Sequence, residues 1–137
     1  MVPIVEPEIL LDGEHGIDRT FEVAQKVWAE VFFYLAENNV QFEGILLKPS
    51  MVTPGAESKD KASPTTVADY TLKLLHRRIP PAVPGIMVCD TNQIHCSLYS
   101  KLLSLFIQYE ATTQVQTPRT ILTRSYADQS CILYFVM

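Results

Sequence analysis

Apolar and polar positions follow two periods in the first part of the chain. Short apolar runs alternate with longer stretches whose apolar residues recur every three or four positions, the grammar of parallel βα units. VPIVE, Val2 to Glu6, reads as a first strand that Pro7 stops, and LDGEHGID reads as a polar loop with two glycines. Asp18 is the expected N-cap of a helix that runs to Asn38, with Phe21, Ala24, Val27, Trp28, Val31 and Leu35 along one face. Asn38-Asn39 closes it.

GILLK is a second strand ending at Lys48, followed by the loop PSMVTPGAESKDKAS. Ser63-Pro64 pairs an N-cap with proline at the first helical position, where the missing N–H costs nothing. Val67, Thr71, Leu74 and Leu75 form that helix's buried face, and Arg77-Arg78 complement the negative end of its dipole before Pro80-Pro81. GIMV, Gly85 to Val88, starts a third strand. Strand ends recur about every forty residues, as in a serial βα barrel or a doubly wound sheet.

The pattern breaks after Met87: all five glycines and eight of the nine prolines precede it. The expected organisation is therefore a βα segment over 1–87 and a weakly structured tail over 88–137. Within the tail, KLLSLFIQY and the terminal CILYFVM are apolar runs compatible with helix or strand.

With 137 residues the chain can form one domain. A net charge of −4, with no basic cluster beyond Arg77-Arg78, lacks the footprint of a nucleic-acid binder. Neither a secretory leader nor an apolar run of membrane-spanning length is evident, so a soluble, intracellular chain with no membrane partner is expected. Cys89, Cys96 and Cys131 are odd in number and lack CxxC spacing, so reduced thiols are expected, without a disulfide framework or zinc site. Of the histidines, His15 falls in a loop, His76 at a helix end and His95 in the tail; none is singled out as a ligand or base. Phe21, Trp28, Phe32 and Phe33 read as helix core rather than a stacking platform.

Lys48 stands out because it ends an apolar run. A buried ammonium must reach solvent, meet a carboxylate, or lose its proton. In the last form the neutral amine can attack a carbonyl and form a Schiff base. Period-two alternation places Lys48 on the face of Leu46 and Glu6 on the face of Ile4; Glu8 shares it if the extended backbone continues past Pro7. Both strands thus carry an ionisable group at the C-terminal end, the rim where parallel αβ folds build active sites. A carboxylate there could serve the proton transfers of carbinolamine formation and dehydration. A solvated rim charge and a structural ion pair are the ordinary alternatives.

The stretches VPIVEPEILLDGEHGIDRTFEVAQKVWAEVFFYLAENNV, FEGILLKPSMVTPGAE and ADYTLKLLHRRIPPAVPGIM resemble class I fructose-bisphosphate aldolase, closest to the plant plastid form, over residues 2 to 87. EGILLKPS carries the most specific part of the match. The resemblance implies that Lys48 forms the imine with a ketose phosphate, that Glu6 is the acid/base residue, and that Glu8 is a neighbouring carboxylate of the same site. It further implies a (β/α)₈ TIM barrel, homotetrameric assembly, and reversible cleavage of fructose 1,6-bisphosphate to dihydroxyacetone phosphate and glyceraldehyde 3-phosphate. Neither metal nor cofactor is implied, since the protonated imine is the electron sink.

The sequence departs from the family after PGIM, where VCDTNQIHCSLYSK replaces a serine- and glycine-bearing phosphate loop. A complete barrel needs about 250 residues, so only about two and a half of its central βα units are expected here. A processing or reading-frame change could account for residues 88–137. The expected function is that of an aldolase fragment with little activity of its own. The alternative is an inactive truncated isoform that at most associates with full-length subunits. The resemblance places the family member in the plastid stroma, although the chain shows no transit peptide; a cytoplasmic location is the other expectation.

Overall fold

A computed structural model describes residues 1–89, 121–126 and 129–135, with side chains up to residue 88. The described elements are β1 (Ile4–Val5), α1 (Ile17–Glu37), a 3₁₀ turn (Phe42–Gly44), β2 (Leu46–Leu47), α2 (Pro64–Arg78), β3 (Gly85–Cys89), β4 (Ile121–Tyr126) and β5 (Gln129–Phe135). The strands form one sheet in the order β1-β2-β3-β5-β4.

β1, β2 and β3 are parallel, with Ile4 opposite Leu46, Val5 opposite Leu47, and Leu47 opposite Ile86. The long connections through α1 and α2 make this pairing possible, because parallel neighbours require a crossover. β5 then pairs antiparallel with β3, and β4 antiparallel with β5. The terminal run that was compatible with helix or strand is therefore largely strand β5. KLLSLFIQY lies outside the described residues.

Alternation along the strands divides the sheet into two unlike faces. Val5, Leu47, Ile86 and Val88 join Phe32 of α1 and Leu75 of α2 in one apolar cluster. Ile4 on the opposite face is 45% exposed. Parallel sheets are ordinarily covered on both faces, whereas among the described residues both helices contribute to the cluster on one face only.

α1 begins two residues earlier than a cap at Asp18 would require: its N-cap is Gly16, which provides no side-chain hydrogen bond. Asp18 lies instead in the first turn, where its negative charge complements the helix dipole and its Oδ1 accepts a 2.7 Å bond from the Tyr70 hydroxyl. The helix ends as expected at Asn38, followed by Asn39 with φ of 57°. The buried stripe is Thr20, Ala24, Trp28 and Phe32, rotated from the predicted face. Phe33, expected in the core, is 58% exposed and packs edge-on against Tyr34.

α2 follows its sequence signals closely. Ser63 Oγ accepts from the Thr66 amide at 3.1 Å, Pro64 opens the helix, and Val67, Thr71, Leu74 and Leu75 are buried. Leu74 joins Ala24, Trp28 and Val52 in the core between the helices, while Phe21 and Tyr70 meet edge to face with centroids 5.4 Å apart. Burying such side chains stabilises each by about 1.5–3 kcal/mol relative to exposure.

Candidate functional site

The candidate site begins where β1 and β2 end. Ladder bonds extend beyond the two short strands: Leu46 N donates to Pro3 O at 3.0 Å, Lys48 N to Val5 O at 2.8 Å, and Ser50 N to Pro7 O at 3.0 Å. The extended register places Glu6 and Lys48 side by side at the C-terminal rim, on the face of the sheet opposite the helices.

Their side chains meet. Lys48 Nζ donates to Glu6 Oε2 at 2.9 Å, with the lysine side chain 36% and the glutamate 52% exposed. An exposed pair of this kind contributes about 0–1 kcal/mol to stability, so the contact does little to hold the fold. Glu8 is exposed two residues further on and is not part of this ion pair. Of the three sequence-selected residues, the structure thus joins two and leaves the third on the adjoining segment.

The loops behind the pair are laced together. Gly55 N donates to His15 O at 2.9 Å, Ala56 N to Leu11 O at 2.7 Å, and Glu57 N to Gly13 O at 3.1 Å. Gly13 has φ of 118°, and a Cβ on Gly55 would collide with the Gly13 carbonyl oxygen. Glycine at both positions permits the close approach. His15 packs against this crossing as a loop residue, and His76 lies in the last turn of α2; His95 lies outside the described residues.

Two threonines fasten the loop after β2 to the helices. Thr20 Oγ1 donates to Thr53 O at 2.7 Å, and Thr71 Oγ1 accepts from Val52 N at 3.0 Å. Sequence periodicity identifies Thr71 as buried but gives neither hydroxyl's partner. Thr20 occupies an apolar face, and its fit depends on a carbonyl 33 positions away.

No group of three or more His, Cys, Asp or Glu suited to holding a metal occurs among the described residues. No helix among them is long and apolar enough to cross a membrane. The Lys48–Glu6 contact instead offers an amine beside a carboxylate, the groups needed for carbonyl addition with proton exchange.

The family model described as fructose-bisphosphate aldolase class-I matches residues 1–116, reaching beyond Met87, where the sequence pattern breaks. The chain is 89% identical over 93 residues to the chloroplastic fructose-bisphosphate aldolase 2 of Pisum sativum, covering 68% of this chain and 27% of that protein. It is 84% identical over 93 residues to the chloroplastic enzyme of Oryza sativa subsp. japonica, covering 68% and 24%, respectively. Among solved structures, fructose-bisphosphate aldolase from Plasmodium falciparum, in complex with TRAP and a small-molecule inhibitor, matches with a TM-score of 0.63 and 50% identity. That match covers 64% of this chain and 25% of the other. The chain spans roughly a quarter of the length of these relatives. Family match, sequence identity and fold thus converge: this chain belongs to the class I fructose-bisphosphate aldolase family.

Proposed function

We propose that Lys48 is the imine-forming lysine of an aldolase site, Glu6 its acid/base partner, and Glu8 a second carboxylate serving the same site. The observation that carries this reading is the 2.9 Å contact between Lys48 Nζ and Glu6 Oε2 at the rim of two parallel strands. In the first step the amine, having given a proton to the carboxylate, attacks the ketone carbon of a sugar phosphate. A proton delivered to the carbinolamine oxygen releases water and leaves the protonated imine. The imine then accepts the electron pair released when the carbon–carbon bond breaks, so the residues themselves supply the electron sink.

The substrate in this reading is fructose 1,6-bisphosphate, cleaved to dihydroxyacetone phosphate and glyceraldehyde 3-phosphate, as the family resemblance implies. The wider scaffold is a (β/α)₈ barrel whose interior corresponds to the half-open face bearing Ile4, Glu6, Leu46 and Lys48. A complete barrel takes about 250 residues, so this chain is a segment of that architecture. Turnover by the segment alone is low, because distant phosphate contacts supply binding energy used at the reacting carbon. The named chloroplastic relatives support a plastid location.

A second reading is a catalytically inactive isoform that associates with full-length subunits of a homotetrameric aldolase. It is favoured by β5, which lies antiparallel on the β3 edge where a barrel would place its next parallel strand. Reduction with borohydride in the presence of dihydroxyacetone phosphate, followed by peptide mapping, separates the readings. A stable adduct on Lys48, absent from Lys48→Ala, supports the imine site. No adduct, or labelling spread over surface lysines, leaves the inactive form as the better account.

A further inference from the structure

The ladder between β1 and β2 changes character at the carboxylate-bearing segment. In a parallel ladder a residue whose N–H donates to one carbonyl accepts, through its own carbonyl, from the residue two positions further along the partner. By that rule the Lys48 carbonyl faces position 7, where proline has no N–H to give. One residue pair later, Ser50 N donates to Pro7 O, while Ile9 N donates to Ser50 Oγ at 3.0 Å. A hydroxyl has taken the role of a ladder carbonyl.

These two bonds bracket Glu8. Pro7 on one side is buried, and Ile9 on the other packs against the cluster of Ala24, Trp28, Val52 and Leu74. Ser50, itself two residues beyond Lys48, therefore grips the Glu8 backbone from the strand that carries the lysine. The backbone segments that carry the amine and this carboxylate are thereby tied together through one short side chain.

We propose that Ser50 is a positioning residue for the carboxylate segment, fixing the backbone of Glu8, on the strand beside the one that carries Lys48, through the Ile9 amide. This role rests on the proposed imine site. Loss of the hydroxyl leaves the part-buried Ile9 N–H without its acceptor, and the segment shifts to satisfy it. The position requires a hydroxyl on Cβ, close to the backbone: alanine has none, and threonine keeps it.

The test uses the full chain and measures borohydride trapping of dihydroxyacetone phosphate on Lys48 across the pH range in which the protein is folded. Ser50→Ala is expected to slow trapping about fivefold and move the pH at which it is half-maximal; Ser50→Thr restores both. Ser50→Ala adds no further loss in a Glu8→Gln background. Hydrogen exchange at the Ile9 amide rises in Ser50→Ala, while that at the Leu47 amide is unchanged. If the unsubstituted chain labels Lys48 and Ser50→Ala matches its rate and pH profile, the positioning role is wrong while the imine site stands. An equal further loss in the Glu8→Gln background also overturns it, because Ser50 then acts through another group. Absence of the Lys48 adduct from the unsubstituted chain overturns both the imine site and the positioning role.

Discussion

Glu6 and Lys48, 42 positions apart in the chain, touch at 2.9 Å because β1 and β2 pair in parallel with no stagger between them. The contact is a product of register, and a one-residue slip would turn one of the two side chains toward the helices. Substituting Glu6 by Gln keeps the shape and removes the carboxylate. Stability in urea is expected to change by about 0–1 kcal/mol, since the pair is exposed. Trapping at Lys48, measured in parallel, is expected to fall about 100-fold, within the range of a lost acid/base group.

Adjacent leucines on β2 provide a test of the two faces. Leu47 is fully buried against the helices, whereas Leu46 lies on the half-open face. Leu47→Ala is expected to cost about 2–5 kcal/mol through lost burial and a residual cavity. Leu46→Ala is expected to cost less, and equilibrium denaturation of both variants gives the comparison.

Gly55 is intolerant of a side chain for a steric reason. Its Cβ would collide with the Gly13 carbonyl, so Gly55→Ala must push apart the loops that follow β1 and β2. The expected cost is about 1–3 kcal/mol, as for other forced overpacking. Hydrogen exchange should quicken at the Ala56 and Glu57 amides, which donate across the same crossing.

Tyr70 carries a pH dependence whose sign follows from its bond to Asp18. That hydrogen bond, together with the charge of the carboxylate, raises the Tyr70 hydroxyl above its ordinary value of 10.0. The contribution is fully present below the unfolded tyrosine's pKa and is lost as pH rises through the higher folded value. Tyr70→Phe should therefore lower stability near neutral pH and flatten the alkaline fall in Tm. Thermal melts over an alkaline series provide the measurement.

Local signals identify α2 because its cap, its proline and its buried stripe lie within a few residues of one another. They also mark both ends of the Lys48–Glu6 pair through strand alternation. Asp18 shows where such reading fails: it has the chemistry of a cap, yet Tyr70, 52 positions away, is its partner, and Gly16 begins the helix. Thr20 and Ser50 likewise act through partners 33 and 41 positions distant. Their roles come from loop crossings, which leave no period in the sequence. Phe33 fails for a related reason, since its helical spacing is compatible with a core that the fold places one stripe away.

The antiparallel seat of β5 on β3 makes the two flanks of the sheet unlike. Among the described residues β1 ends the sheet on one side, whereas on the other side β3, the last of the parallel strands, already carries an antiparallel neighbour. In the language of polymers, one flank of the sheet is a chain end and the other is a cap. Parallel order stops on the β3 side, and a further parallel strand fits only beside β1.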